Sequence, residues 1–203
     1  IYQNMGSYYN GTSGCQPAAV ASGADFTCTS IDFTSTGLKN DLTRNAIESV
    51  VWNLGGLSSA GHITSAFYSA ERGTKVYSDR PTTWTGKIGL MYPSDYGYAT
   101  SGGSTTDRAA CLAESLFTWN EVSDCMLNDY LYKSGYYEWT LVPSSLKSNY
   151  VFEVAKTYGY VVDYYVTGIG GDSARPVAFL KSNISIANVG MGTAESPFQL
   201  KVG

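Results

Sequence analysis

The sequence predicts an α+β protein, and two observations carry that class. Helical periodicity is confined to residues 38–72, whereas the last third is a succession of short strand-like runs separated by Gly, Asn and Asp. Helices early and antiparallel hairpins late is the order expected when two helices pack on one side of an antiparallel sheet, here with a long, loop-rich C-terminal half. The chain has 203 residues and 43% hydrophobic content, enough for one substantial core, so residues 1–203 are expected to form a single domain without repeat or linker.

Residues 1–36 alternate short apolar pieces with Gly, Ser and Asn, and read as a loop-rich N-terminal extension with one or two strands near Phe26 and Ile31 to Phe33. In LKNDLTRNAIESVVWNLGG, the residues Leu42, Ala46, Ile47, Val50, Val51 and Leu54 recur at the spacing of one helix face. Asn40 or Asp41 can cap that helix and Gly55-Gly56 can end it. A second helix fits Ile63 to Arg72, with Ile63, Ala66, Phe67 and Ala70 on one side and Gly73 as its stop. Lys87 to Tyr92 reads as a strand and Pro93-Ser94-Asp95 as a turn. Residues 100–110 form a Ser/Gly/Thr loop, and AACLAESLFTW follows as a short helix or a turn-rich segment. Strands are then expected at Tyr137 to Val142, Tyr150 to Val154, Tyr160 to Val166, Val177 to Leu180, Ile184 to Ile186 and Phe198 to Val202.

Charge and composition exclude several classes. A net charge of −4 with only 13 Lys+Arg leaves no basic footprint for nucleic acid. No basic amphipathic helix and no run of about 18 apolar residues suggests membrane contact. The first residues, IYQNMGSYYNGTSGC, carry no basic or apolar leader pattern, so the chain is expected to be either intracellular or already processed. Cysteine usage bears on that choice. Cys15 with Cys28 and Cys111 with Cys125 form two local pairs without the C-x-x-C spacing of zinc or redox motifs. Oxidised, each closes a loop worth on the order of 3 kcal/mol. The sequence-local pairing is preferred, with four unrelated buried thiols as the other reading. Asn10-Gly11-Thr12 and Asn183-Ile184-Ser185 match the N-glycosylation acceptor pattern.

Catalytic chemistry has few carriers here. His62 is the only histidine, which rules out a His-based zinc site, and its place ahead of the second helix suits a capping or surface role. No nucleophile elbow, P-loop or dinucleotide fingerprint occurs. Two of Asp163, Asp172, Glu153 and Glu138 facing one cleft would make a glycosidase-like pair. Acidic side chains among tyrosines are more commonly solvated or in contact with a ligand, so no enzyme activity, metal or cofactor is expected.

Tyrosine is the compositional signal. Seventeen Tyr stand against seven Phe. A buried Tyr hydroxyl needs a partner, so a core would draw more on Phe. Tyr with Ser, Gly and Asn is the composition of binding loops, where a rigid ring and a hydroxyl recognise a partner at low entropic cost. In YVFEVAKTYGYVVDYYVTGIGGDSARPVAFLKSN, the residues Val151, Val154, Val161 and Val177 can serve the core while Tyr158, Tyr160, Asp163, Tyr164, Tyr165 and Thr167 project outward. A Tyr-rich sheet face covered by other parts of the chain is the competing reading.

Several motifs together resemble a group of surface proteins from gut Firmicutes and related bacteria: WNLGG, ERGTKVYSDRPTTWTGKIGLMYPSDYGYA, YEWTLVP, ARPVAFLKSN and GMGTAESPFQL. The resemblance runs from about Gly37 to the end. Members often begin with a type IV pilin-like segment. It implies a C-type lectin-like fold of the formylglycine-generating-enzyme type and a binding role at an extracellular, cell-surface or pilus location. The same fold displays a hypervariable patch in variable proteins of diversity-generating retroelements, between a Trp strand and an Arg-Pro strand. The matching frame is Trp139-Thr140-Leu141 and Arg175-Pro176-Val177. Between them, Lys147, Asn149, Glu153, Lys156, Tyr158, Tyr160, Asp163, Tyr164, Tyr165, Thr167 and Asp172 occupy the positions of such a patch. Arg175 is expected to act as a structural hydrogen-bonder beside Pro176. The calcium-binding tripeptides of animal C-type lectins are absent. The resemblance therefore implies an adhesin-like domain whose partner is a protein or glycan on a host or microbial surface. Its runner-up is a structural, pilin-like filament subunit packed against its neighbours.

Overall fold

The computed structural model describes residues 41–78, 80–165, 172–193 and 195–203, which form a mixed helix-and-sheet architecture. Among the described residues are five α-helices, one 3-10 helix and ten strands. The expected strands near Phe26 and Ile31 to Phe33, and the Cys15–Cys28 pair, lie outside the described residues.

The first expected helix is corrected. Helix α1 (Asp41–Ala46) stops early, and the chain enters β1 (Val50–Asn53), antiparallel to β2 (Thr83–Gly86) with Trp52 opposite Trp84. Val50 and Val51 fit a helical stripe by spacing, but both are β-branched, and strand geometry sends neighbours to opposite faces. Trp52 is thereby buried while Val51 is 62% exposed. The second helix, α2 (Thr64–Glu71), stands where the spacing predicts it, between Ile63 and Arg72.

Pro93-Ser94-Asp95 is corrected as well: it opens helix α3 (Pro93–Ala99). Proline is well suited to a first turn, and the Asp95 carboxylate accepts the Tyr92 backbone N–H at 3.0 Å. Buried Glu71 accepts the Ser94 backbone N–H at 2.9 Å and the Ser94 hydroxyl, so α3 hangs on the end of α2. Burial pushes the Glu71 carboxyl up, and the Ser94 hydrogen bonds oppose that shift. Beyond the 100–107 loop come α4 (Arg108–Ala113), the 3-10 helix (Leu116–Glu121) and α5 (Ser123–Leu127). A disulfide between Cys111 and Cys125 joins α4 to α5, as the local pairing predicts.

The largest sheet has the order β6-β5-β4-β7, from β6 (Val161–Tyr165), β5 (Tyr150–Val154), β4 (Glu138–Pro143) and β7 (Ser173–Ala174). β4, β5 and β6 are antiparallel, but β7 runs parallel to β4, so the sheet is mixed. Two separate pairs complete the architecture: β3 (Ile88–Leu90) with β8 (Pro176–Ala178), and β9 (Ile184–Ile186) with β10 (Leu200–Val202). The core lies between the sheet and α2, α3 and the 3-10 helix. Phe67 of α2 meets Phe152 of β5 edge-on at 5.3 Å, and Tyr96 of α3 packs 5.3 Å from Trp119. Val142, Val154 and Val161 fill the sheet side.

One contact sets the β5–β6 turn. The Tyr96 hydroxyl, fully buried, donates to the Gly159 carbonyl at 2.6 Å. Gly159 has φ +60°, and a Cβ there would lie 2.3 Å from Met126 Cγ and 2.8 Å from Tyr96 Oη. Gly159→Ala is therefore expected to cost about 2–4 kcal/mol through left-handed strain and overpacking. Urea unfolding checks it, and a change under about 0.5 kcal/mol would refute this account of the turn.

Candidate functional site

The tyrosines of the predicted patch gather on the β5–β6 hairpin, whose outer strand β6 is the edge of the main sheet. Cross-strand register places Tyr150 opposite Tyr165 and Val151 opposite Tyr164 at the open end, with Val154 opposite Val161 next to the turn. Two aromatic clusters result, separated by about 15 Å of strand rise.

At the open end, Lys147 Nζ lies 3.1 Å from Asp163 Oδ2 and 3.9 Å above the Tyr150 ring. Tyr150 meets the Tyr165 ring at 6.0 Å, and Tyr165 stacks on Tyr164 at 4.2 Å. The Tyr164 hydroxyl donates to that of Tyr165 at 3.1 Å, and this bond holds the Tyr164 hydroxyl's pKa up at about 12. The partly exposed Lys147–Asp163 pair orients the cluster more than it stabilises the fold. At the turn, Tyr158 and Tyr160 stack nearly parallel at 6.4 Å, and Phe117 of the 3-10 helix meets Tyr160 edge-on at 5.9 Å.

Exposure sorts the predicted residues. Tyr158 is 56% exposed and Tyr164 41%, so both present ring surface to solvent. Lys147 and Lys156 are exposed, while Asn149, Tyr160, Asp163, Tyr165 and Asp172 are half-buried. Glu153 is the exception and is corrected: it is 3% exposed and does not belong to a display surface. It faces Trp139 of β4 on one side and Val162 of β6 on the other, an interior position in the sheet. Thr167 lies outside the described residues. Tyr150 and Phe117 support the two clusters but are not in the predicted set. Tyr150 reads from sequence only as the first residue of a strand, and Phe117 comes from a distant segment that no local pattern links to Tyr160.

The carboxylates divide by partner. Asp163 is paired with Lys147 and Glu138 with Arg175, whose Nη2 bonds Glu138 Oε2 at 2.9 Å and the Leu131 carbonyl at 2.8 Å. Arg175 is thus a structural clasp between β4 and the β7–β8 segment. Burial first, and the Asp172 charge second, push the Glu153 carboxyl up to about 8. At neutral pH Glu153 is protonated and can donate a hydrogen bond, but it cannot serve as a base. Burial also raises the Asp172 carboxyl, against the pull of Lys156. Among the described residues, no group of three His, Cys, Asp or Glu side chains is placed to hold a metal ion, and no helix is long and apolar enough to cross a membrane.

Truncating the outward rings tests the sorting. Tyr158→Ala and Tyr164→Ala are each expected to change stability by no more than about 0.5–1 kcal/mol, since exposed side chains contribute little. Thermal melts check this, and a loss of several kcal/mol at either site would place these rings in the core.

No protein-family model matches the chain, and neither the curated proteins nor the solved structures contain a significant match.

Proposed function

We propose that this protein is a non-enzymatic extracellular recognition domain of C-type lectin-like type, presenting the β5–β6 hairpin to a protein or glycan on a host or microbial surface. The observation that carries the reading is the exposure of Tyr158 and Tyr164, each backed by a second, half-buried tyrosine stacked against it. A supported ring loses little freedom on binding, which is the economy that tyrosine-rich binding surfaces exploit. Cell-surface or pilus location, independence from cofactors and diversification of residues 144–172 belong to the same proposal.

Binding to arrays of glycans and of surface proteins, measured for the wild type and for Tyr158→Ala/Tyr164→Ala, tests it. Hits lost by tenfold or more in the double variant are expected. Hits unchanged in that variant would move the binding surface elsewhere. Sequencing the gene across its source population adds a second readout: substitutions clustered in 144–172, at adenines, are expected of a diversified surface, and an even scatter removes diversification.

A second reading, a structural subunit of a surface filament, has one observation in its favour. Among the described strands β6 is an edge strand carrying the exposed Tyr164, and such an edge can pair with a neighbouring copy. Self-association abolished by the same tyrosine variant would favour it.

A further inference from the structure

The β9–β10 hairpin stands apart from the rest of the sheet structure. Its strands pair only with each other among the described residues, and neither has more than marginal contact with another described strand or helix. Backbone bonds extend it toward its tip: Ala187 N–H donates to the Gln199 carbonyl at 2.8 Å, Gln199 N–H to Val189 at 3.3 Å and Met191 N–H to Ser196 at 2.8 Å. Its base is tied to α1, where Lys181 N–H donates to the Ala46 carbonyl at 2.9 Å.

Register makes this hairpin amphipathic. Ile186 opposite Leu200 occupies one face, and Ser185 opposite Lys201 the other. Both faces are in solvent, and large apolar side chains are exposed along the whole hairpin: Ile186 is 58% exposed and Leu200 52%, and toward the tip Val189, Met191 and Phe198 are 52%, 80% and 52% exposed. An isolated two-stranded hairpin is marginal in water and normally needs a third strand or a covering surface. Among the described residues both of its outer edges are unpaired, which is a template for strand addition.

We propose that the β9–β10 hairpin is a self-association surface whose occupant is the same hairpin of a second copy of this chain. Two features favour a copy of itself. Residues 181–203 contain only Lys181, Glu195 and Lys201 as charged groups, so two hairpins approach with little repulsion. With large side chains taken at up to about 150–250 Å² each, the range for aromatic rings, the five exposures amount to at most about 450–700 Å² per copy. Two copies covering all five would bury at most about 900–1,400 Å², which reaches the lower bound of a specific interface. An isologous contact of this kind also closes, giving a dimer and no open chain.

Light scattering across about 1–500 µM protein tests the proposal. The mass is expected to rise with concentration from 21.8 kDa toward twice that value. Ile186→Lys/Leu200→Lys is expected to weaken association about tenfold or more. Met191→Lys, a change at the most exposed of the five positions, provides a second variant that leaves the strand pairing intact. The Tyr158→Ala/Tyr164→Ala variant is expected to associate like the wild type, which separates this surface from the proposed recognition face. A monomer throughout the series would overturn the proposal, even if that monomer binds lipid vesicles. So would association that survives both lysine variants, or association lost in the tyrosine variant.

Discussion

Arg175→Ala is expected to destabilise the protein by about 3–5 kcal/mol at pH 7.5, among the largest effects of any single substitution outside the aromatic core. Arg175 reaches across from the β7–β8 segment to Glu138 of β4, whose side chain is 3% exposed, with Nε 2.8 Å from Oε1. It also covers the Leu131 carbonyl at 2.8 Å. Removing the guanidinium strands a buried carboxylate and an acceptor together, which costs more than the pair contributes when intact. Asp129, also buried, feels the same positive charge and would lose it too.

The pH dependence of that loss identifies its cause. Burial raises the Glu138 carboxyl and Arg175 holds it down, so in the variant it rises further. Near pH 5 the orphaned group can then take a proton, and the penalty is expected to shrink by about 1 kcal/mol or more. Urea unfolding at pH 5 and 7.5 reads this directly. A penalty equal at both pH values would make the role of Arg175 one of packing alone. Lysine at the same position is expected to recover only part of the stability, because it lacks the planar fork that meets Glu138 and Leu131 at once.

The sequence is legible here wherever local pattern and tertiary need agree. Tyr150–Val154 and Ile184–Ile186 stand as strands at the expected residues, because alternating β-branched and aromatic positions between turn residues leave few other conformations. The stretch from Ile47 to Leu54 fails that test. Its apolar spacing satisfies a helix, but pairing with β2 requires period two, and only the distant segment 83–86 decides between them. Pro93-Ser94-Asp95 fails for a similar reason: Pro-Ser-Asp opens a turn or a helix equally well, and the buried Glu71 carboxylate beneath Ser94 selects the helix. Helix α5 and the two-residue strand β7 are too short to leave a periodic trace.

The candidate surface was half visible for the same reason. Tyrosine abundance locates the hairpin, and the exposure of Tyr158 and Tyr164 agrees with an outward reading. Sequence cannot assign the two faces of β5, however, since a charged residue in a strand is ordinarily turned to water. Glu153 is nonetheless buried at 3% exposure, with Oε2 lacking a hydrogen-bond partner among the described residues. What it gives up in solvation it avoids in part by staying protonated.

That protonation should make the protein less stable as pH rises. Glu153 titrates near 8 in the folded state, because of burial and then Asp172, against about 4.3 in an unfolded chain. Between those values the folded protein holds a proton that the unfolded chain has released, so the contribution of Glu153 is fully present below about pH 4 and is lost as pH climbs through 8. Asp129, raised by burial to about 7, acts in the same direction, as do Glu71, Glu138 and Asp172. The wild type is therefore expected to melt higher at pH 5 than at pH 8.5. Glu153→Gln keeps the shape and removes one titration, so it is expected to gain on the order of 2–4 kcal/mol over the wild type at pH 8.5 and to differ by less than about 1 kcal/mol at pH 5. Melting both proteins across that range decides the matter. If the variant loses stability with pH as steeply as the wild type, Glu153 is ionised in the folded protein, and the interior of the β5 strand must be more hydrated than its burial implies.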